Sequence, residues 1–415
     1  MRITIAILKR AMIYRTLAKF MAATLYTTVL IAQITESKDS QLTEAKTLIR
    51  QGAPSEAIEL LRNVVEAHPH NGEAHLSLGS ALSMIPRRSE AIKFLLRGLE
   101  LRPGFAPGYT TAGIALARLG EQDAALQVFE QAIQLGAKTG DVHFHLALIL
   151  ASKEKFIQAI EHMTKALTFE KNTPKKAHLH FLLGKLHAEQ NSLETAVNEF
   201  EHSIKLDRAR GEVYLALGAT QKKLLREDEA HILFEQAVLL DPENPTALYH
   251  LALELLRRGD AARAVEHLLK AHKLRPNYQP IVYNLTRALY KSGRKAESSK
   301  YRQKLAKMLK ANNRARENAF ESARLHGEAV LLEKSSNYVE ALQKYRAVLE
   351  FEPLNLVARR NMALVLCRLN RWEEGIEELQ EMLRHYPDDA ETARSLTLVL
   401  DEMKEAKKGL PKTTR

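Results

Sequence analysis

The chain has 415 residues, with 61 Lys and Arg against 50 Asp and Glu, a formal charge of +11. Its single cysteine, Cys367, excludes an internal disulfide framework and a Cys-rich metal centre. Arg2, Lys9, Arg10, Arg15 and Lys19 stand in the first 32 residues without one acid, leaving 56 basic against 50 acidic residues elsewhere, a balance that permits anionic partners without requiring them.

Residues 1–35 contain no Asp or Glu. A basic lead ends at Lys19, and the mostly apolar run Phe20 to Ala32 follows. That run is shorter than the roughly 20 residues a membrane-spanning helix needs. A charged lead, an apolar run and a small residue before Gln33 read as a secretory signal peptide. The expectation is an exported protein, periplasmic or otherwise extracytoplasmic, or one tethered by this segment. An acid-free organelle transit peptide, an uncleaved anchor and a cytoplasmic chain are the other readings.

From Lys38 onward a period of 34 residues governs the chain. Ala57, Ala91, Ala125 and Ala159 are spaced 34 apart, and after a three-residue insertion so are Ala196, Ala230 and Ala264. Twelve residues ahead of each stands another small residue: Ala45, Gly79, Gly113, Ala147, Gly184, Gly218 and Ala252. Pro69, Pro103, Pro242, Pro276, Pro353 and Pro387 close several repeats. Such self-similarity is the signature of a stacked array, in which each repeat buries its face against its neighbours. Within a repeat the apolar spacing is helical. In the second, Ala74, Leu78, Ala81 and Leu82 form one stripe, and Ala91, Ile92, Leu95, Leu96 and Leu99 another. Pro86-Arg87 separates the two predicted helices, and Ser89 is the expected N-cap of the second. Gly79 and Ala91 fall where the paired helices should cross, so close packing explains them better than chemistry.

These residues carry a resemblance. The sixth repeat shows it well in Tyr214, Leu217, Gly218, Ala230, Phe234, Ala237 and Pro242. The pattern resembles the tetratricopeptide repeat family over about residues 38–403. The resemblance implies an all-α fold: a right-handed α-solenoid of about ten helix-turn-helix repeats with a C-terminal capping helix. Eight repeats occupy 38–306. The period then breaks, and a helical bridge is expected over 307–321, with Asn312-Asn313 as a bend. Two more repeats and a cap fill 322–408, and 409–415 form a tail expected to be disordered.

No phosphate-cradling glycine loop, HExxH or nucleophile elbow is present, so no catalytic residue, metal ligand or cofactor is expected. His143, His145, His178, His180 and His187 cluster in sequence, but residues two apart on a helix diverge. They read as packing or surface histidines. What the resemblance implies instead is a binding groove, lined by the first helices at the fifth position of each repeat. Those positions hold Leu76, Thr110, Phe144, Phe181, Leu215, Tyr249 and Tyr283, with His145, His250, Asn284 and Asn361 next to the ladder. Aromatic rings and amides in that arrangement suit an extended peptide. The competing reading places the rings in shared core between repeats. The thirteenth position is often basic, at Arg118, Lys223, Arg257, Lys291 and Arg368. These residues could draw acidic segments, or simply complement the C-terminal ends of their helices.

The expected function is a non-catalytic scaffold for protein or peptide partners, with envelope assembly or secretion as its setting. A second reading is the substrate-selecting arm of a glycosyltransferase, which the array resembles only through Asn284 and Asn361. A third is weak binding of nucleic acid or an anionic surface by Lys300, Arg302, Lys304, Lys307, Lys310, Arg314 and Arg316. With Tyr301 as the sole aromatic among them, base stacking is poorly served. The sequence leaves the oligomeric state open.

Overall fold

The structure is a computed structural model that describes residues 40–387 and 389–408. The signal-peptide reading and the tail lie outside those residues. Every regular element described is an α-helix, and no described helix is long and apolar enough to cross a membrane.

The helices fall into two compact bodies, divided between Leu224 and Leu225. The first holds α1 (residues 40–51), α2 (Pro54–Ala67), α3 (Gly72–Leu82), α4 (Arg88–Leu101), α5 (Ala106–Arg118) and α6 (Gln122–Gln134). It continues with α7 (Gly140–Ser152), α8 (Phe156–Phe169), α9 (Thr173–Glu189), α10 (Leu193–Leu206) and α11 (Gly211–Lys223). Each odd-numbered helix from α3 to α9 pairs with the helix after it. The turn between paired helices recurs in one form, with a left-handed residue at the fifteenth position of the repeat. In the first body this is Gly52, Gly120, Glu154 and Asn191. The second repeat has Pro86 there, whose ring fixes a negative φ, so its turn is built differently.

The packing of each pair follows from the small residues. A Cβ placed on Gly113 would lie 2.5 Å from the Phe129 ring, and one on Gly184 would lie 2.6 Å from Phe200. Phe129 and Phe200 are fully buried. The glycine on the first helix is thus the floor on which the aromatic of the second helix rests. One sequence expectation is corrected. Helix α4 begins at Arg88 with Arg87 as its N-cap, because the Ala91 amide already donates to the Arg87 carbonyl at 3.0 Å. Ser89 therefore lies inside the first turn.

The core is strung out repeat by repeat. One cluster gathers Leu61, Ala74 and Leu78, the next Leu95, Phe129 and Leu146, and the next Ala159, Met163 and Leu183. Such a core ties each repeat mainly to its neighbours.

The second body holds α12 (Glu227–Leu240), α13 (Pro245–Arg257), α14 (Ala261–Leu274), α15 (Gln279–Lys291) and α16 (Lys295–Lys334). It ends with α17 (Tyr338–Phe351), α18 (Leu356–Arg368), α19 (Trp372–His385) and α20 (Ala390–Lys408). The helix α16 is the departure from regularity. Its first half packs on α15 and its second half on α17, so one helix serves two repeats. It runs unbroken through Asn312-Asn313 and across both of the boundaries expected at 306 and 321. The reason lies in composition: α16 has no proline, and Ala, Lys, Arg, Glu and Leu dominate it. Residues 309–317 are exposed on every side. At the end of the chain, Val399 of α20 packs with Ala363, Cys367 and Leu379, while Asp401 and Lys404 pair on the outer face as a cap requires.

Candidate functional site

In the first body, the first helices of successive repeats line two adjoining depressions. One, about 610 Å³, is walled by Lys46, Ile49 and Arg50 of α1, Ser77 and Ser80 of α3 with Met84 just beyond, and Thr111 and Ile114 of α5. The other, about 310 Å³, lies between α5 and α7, with Gln122, His145, Leu148, Ile149 and Ser152 in its wall. Ile114 and Arg118 belong to both, so the depressions form one groove with Arg118 at the junction. No acidic side chain lines either part.

Arg118 is steered by its neighbour. Its Nη1 donates to the Ser83 Oγ at 3.0 Å, and that hydroxyl donates to the Ser80 carbonyl at 2.7 Å. One bond uses one of the five guanidinium donors. Beside it, the His145 ring stacks on Phe129 with centroids 5.9 Å apart and meets Phe144 edge-on at 5.2 Å. Burial holds the His145 imidazole below its ordinary value; Asp141 opposes this and Arg118 reinforces it. The groove thus offers cations, hydroxyls and a neutral imidazole around the apolar Ile114 and Leu148.

The fifth positions behave differently from the expectation. Leu76 is buried, and a Cβ on Gly108 of α5 would lie 2.7 Å from its Cδ1, so it fills the seam between repeats. Phe181 is buried too, beside Phe200 with ring centroids 6.0 Å apart. Phe144 is half-buried and lines a separate seam pocket of about 200 Å³ with Asp141, Glu170, Lys175 and His178. The groove is lined one residue further on, at the sixth, ninth and thirteenth positions. Sequence reasoning found Arg118 and His145 there but missed Ser77, Ser80, Thr111, Ile114, Leu148 and Ser152.

In the second body, Tyr249 of α13 and Asn284 of α15 are joined. The Asn284 amide donates to the Tyr249 hydroxyl at 3.2 Å and to the Pro280 carbonyl at 3.0 Å, and its oxygen accepts from Arg287 at 3.1 Å. Asn361 likewise donates to the Tyr345 hydroxyl at 3.3 Å. Both asparagines are therefore engaged inside the fold, Asn284 in a buried position. Tyr283 stands exposed. Arg257 pairs with Glu227 at 2.5 Å and Glu254 at 2.9 Å, and Arg368 pairs with Glu402 at 3.3 Å. Lys223 and Lys291 are exposed. Burial pushes the Cys367 thiol up to about 11, which makes it an inert core residue. Of the basic run on α16, Lys304 donates to His272 at 3.0 Å, and Lys300, Arg302, Lys307, Lys310, Arg314 and Arg316 are exposed.

The histidines sort into pairs. His143 and His162 meet through their Nδ1 atoms at 3.0 Å, His180 Nδ1 meets Glu199 at 2.7 Å, and Arg210 donates to His178 at 2.9 Å. Among the described residues, no three metal-donor side chains converge. Burial is the leading cause that depresses His143, His145, His162, His178 and His187. The sign follows directly. The unfolded chain takes up protons first as pH falls past the ordinary value of 6.5, so the fold loses stability below it and keeps it above. The melting temperature should therefore drop between about pH 7 and about pH 5, and His162→Gln should flatten that slope. Calorimetry at graded pH is the check, and a melting temperature constant over that range would contradict the account.

Comparison with known proteins agrees with this architecture. Tetratricopeptide repeat models match residues 48–112, 110–173, 177–210, 223–278 and 332–398. The chain belongs to the tetratricopeptide repeat family. None of the matched stretches reaches 279–331, which hold α15 and most of α16. The BBSome complex member BBS4 of Bos taurus is 22% identical over 228 residues, 55% of this chain and 43% of that one. The chain thus spans less than half the length of that relative. Similar solved structures include the APC/C hetero-tetramer Cut9-Hcn1, with a TM-score of 0.46 and 21% identity over 60% of this chain and 49% of that one. Another is YrrB, described as a TPR protein with an unusual peptide-binding site, at a TM-score of 0.39 and 19% identity over 46% and 96%. A third is pilF of Pseudomonas aeruginosa, at 0.43 and 17% over 51% and 96%.

Proposed function

We propose that the chain is a non-catalytic scaffold that holds an extended peptide segment of a partner protein in the groove of α1, α3, α5 and α7. The observation that carries this reading is the lining itself. Arg118 and Arg50 surround Ile49, Ile114 and Leu148, and no carboxylate lines either depression, although Lys46 is itself paired with Glu73 of α3 outside the wall. A segment with acidic and apolar side chains suits such a wall: the cations meet carboxylates, and the aliphatic floor takes the apolar residues. The acid-free N-terminal segment supports export, and envelope assembly or secretion as the setting.

Selection from a displayed peptide library tests the groove. Peptides retained by the wild-type chain should lose about tenfold or more in affinity to Ile114→Asp and to Arg118→Glu, with helicity unchanged. Equal affinity for wild type and both variants would overturn the assignment. Export is checked by sequencing the N-terminus of the chain from its native source. A mature start after Ala32 is expected, and a cytosolic chain that keeps Met1 would refute it.

A further inference from the structure

A second surface lies where the period breaks, and its case is independent of the groove. In every earlier repeat described, the fifth and twelfth residues are buried or half-buried. Leu76 is 2% exposed and Ser83 6%, and Leu256 at the end of α13 is 6% exposed. The first helix of the next repeat covers Leu76 together with α4, since Gly108 of α5 lies against its Cδ1 and Gly98 of α4 against its Cγ. Helix α15 departs from this rule. Tyr283 and Tyr290 occupy the same two positions and are 50% and 55% exposed. The exposed Arg287 stands between them at helical spacing, its guanidinium 5.7 Å from the centre of the Tyr283 ring. The topology explains why. The chain does not turn back after α16 to lay a fresh first helix on α15; it continues to Lys334 and pairs with α17.

We propose that the uncovered row Tyr283, Arg287 and Tyr290 docks an acidic amphipathic helix of another protein, which takes the place that a following first helix holds at the regular seams. The seam at Leu76 sets the shape of the occupant, because what lies on it is a helix with a small residue at the crossing. The rim sets the charge. Helix α15 contains no acid and carries Lys291 beside Arg287, and α16 has none from Ser298 to Arg316. Residues 1–35 and 409–415 also lack acids, so neither segment of this chain complements the rim. A second α15 brings the same cations and would be repelled.

The test uses the full chain and two synthetic helical peptides. Both repeat the small and apolar positions of α5 at Gly108, Tyr109, Ala112 and Leu116. One carries Glu at the remaining positions and its twin carries Lys. By fluorescence anisotropy, the Glu peptide should bind about tenfold or more tighter than the twin, and the double change Tyr283→Ala with Tyr290→Ala should remove about tenfold of that affinity. Arg287→Glu should reverse the preference between the two peptides, and Ile114→Asp should leave it untouched. Equal binding of the twins, or full affinity in the tyrosine variant, would overturn the proposal. Loss of affinity in Ile114→Asp would also overturn it and return the peptide to the groove. Self-association that requires Tyr283, seen by sedimentation, would assign the row to a second copy instead.

Discussion

Replacing Phe129 by alanine is expected to destabilise the first body by about 3–5 kcal/mol. The ring is fully buried and rests on the bare backbone of Gly113, and the His145 ring stacks on it with centroids 5.9 Å apart. Truncation leaves a void that the glycine cannot fill, because it has no side chain to relax inward. The loss is also local, since a repeat mainly contacts its neighbours. Hydrogen exchange should show α5, α6 and α7 losing protection while α18 and α19 of the second body keep theirs. Because His145 forms part of the groove wall, peptide capture should weaken in the same variant even at temperatures where it stays folded. A variant that melts with the wild type, or loses protection evenly along the chain, would refute this account of the core.

Gly98→Val should rank second, at about 3 kcal/mol, the upper end of what overpacking costs. A Cβ on Gly98 would lie 2.6 Å from the Leu76 Cγ, 2.9 Å from the Gly72 carbonyl oxygen and 2.9 Å from the Leu76 amide nitrogen. Two of those three atoms are backbone, so no rotamer change relieves the contact and α4 must move away from α3. That movement would also unseat Leu76 from the seam with α5. Gly327 supplies the control. It lies within α16 with nothing inside 4 Å of its would-be Cβ, so Gly327→Ala should stabilise by about 0.5–1 kcal/mol through helix propensity alone. Urea melts of the two variants against wild type are the measurement, and a Gly98→Val midpoint equal to that of Gly327→Ala would sink the argument.

Much of the architecture was legible because the array repeats. The recurrence of Gly113 and Gly184 marked where paired helices close on each other, and the structure then showed that Phe129 and Phe200, each sixteen residues on, rest there. The groove was less legible, and the error was one residue wide. Adjacent residues on a helix point about 100° apart, so the fifth and sixth positions can belong to different surfaces. Leu76 went to the seam and Ser77 to the groove wall. Which of the two meets the next repeat depends on the angle between repeats, and periodicity within one helix is blind to that angle. Asn284 and Asn361 were misleading for a related reason: the amides that suit a peptide backbone also suit the hydroxyls of Tyr249 and Tyr345, and those lie nearer. The long helix was half read. The loss of the period after Ser298 announced an irregular stretch, but nothing local marked whether the chain would bend at Asn312 or continue straight.

By itself the sequence determined the helical repeat, its length and the small residues at which the paired helices close on each other. These follow from apolar spacing and side-chain size, both local quantities. Only the tertiary structure decided which side chains face outward between repeats. It placed Ile114 and Arg118 in the groove, drew Gly108 of α5 against Leu76 of α3, and left Tyr283 and Tyr290 uncovered beside a helix that never turned back. Those outcomes depend on how one pair of helices lies on the next, and the pattern within a single pair does not contain that relation.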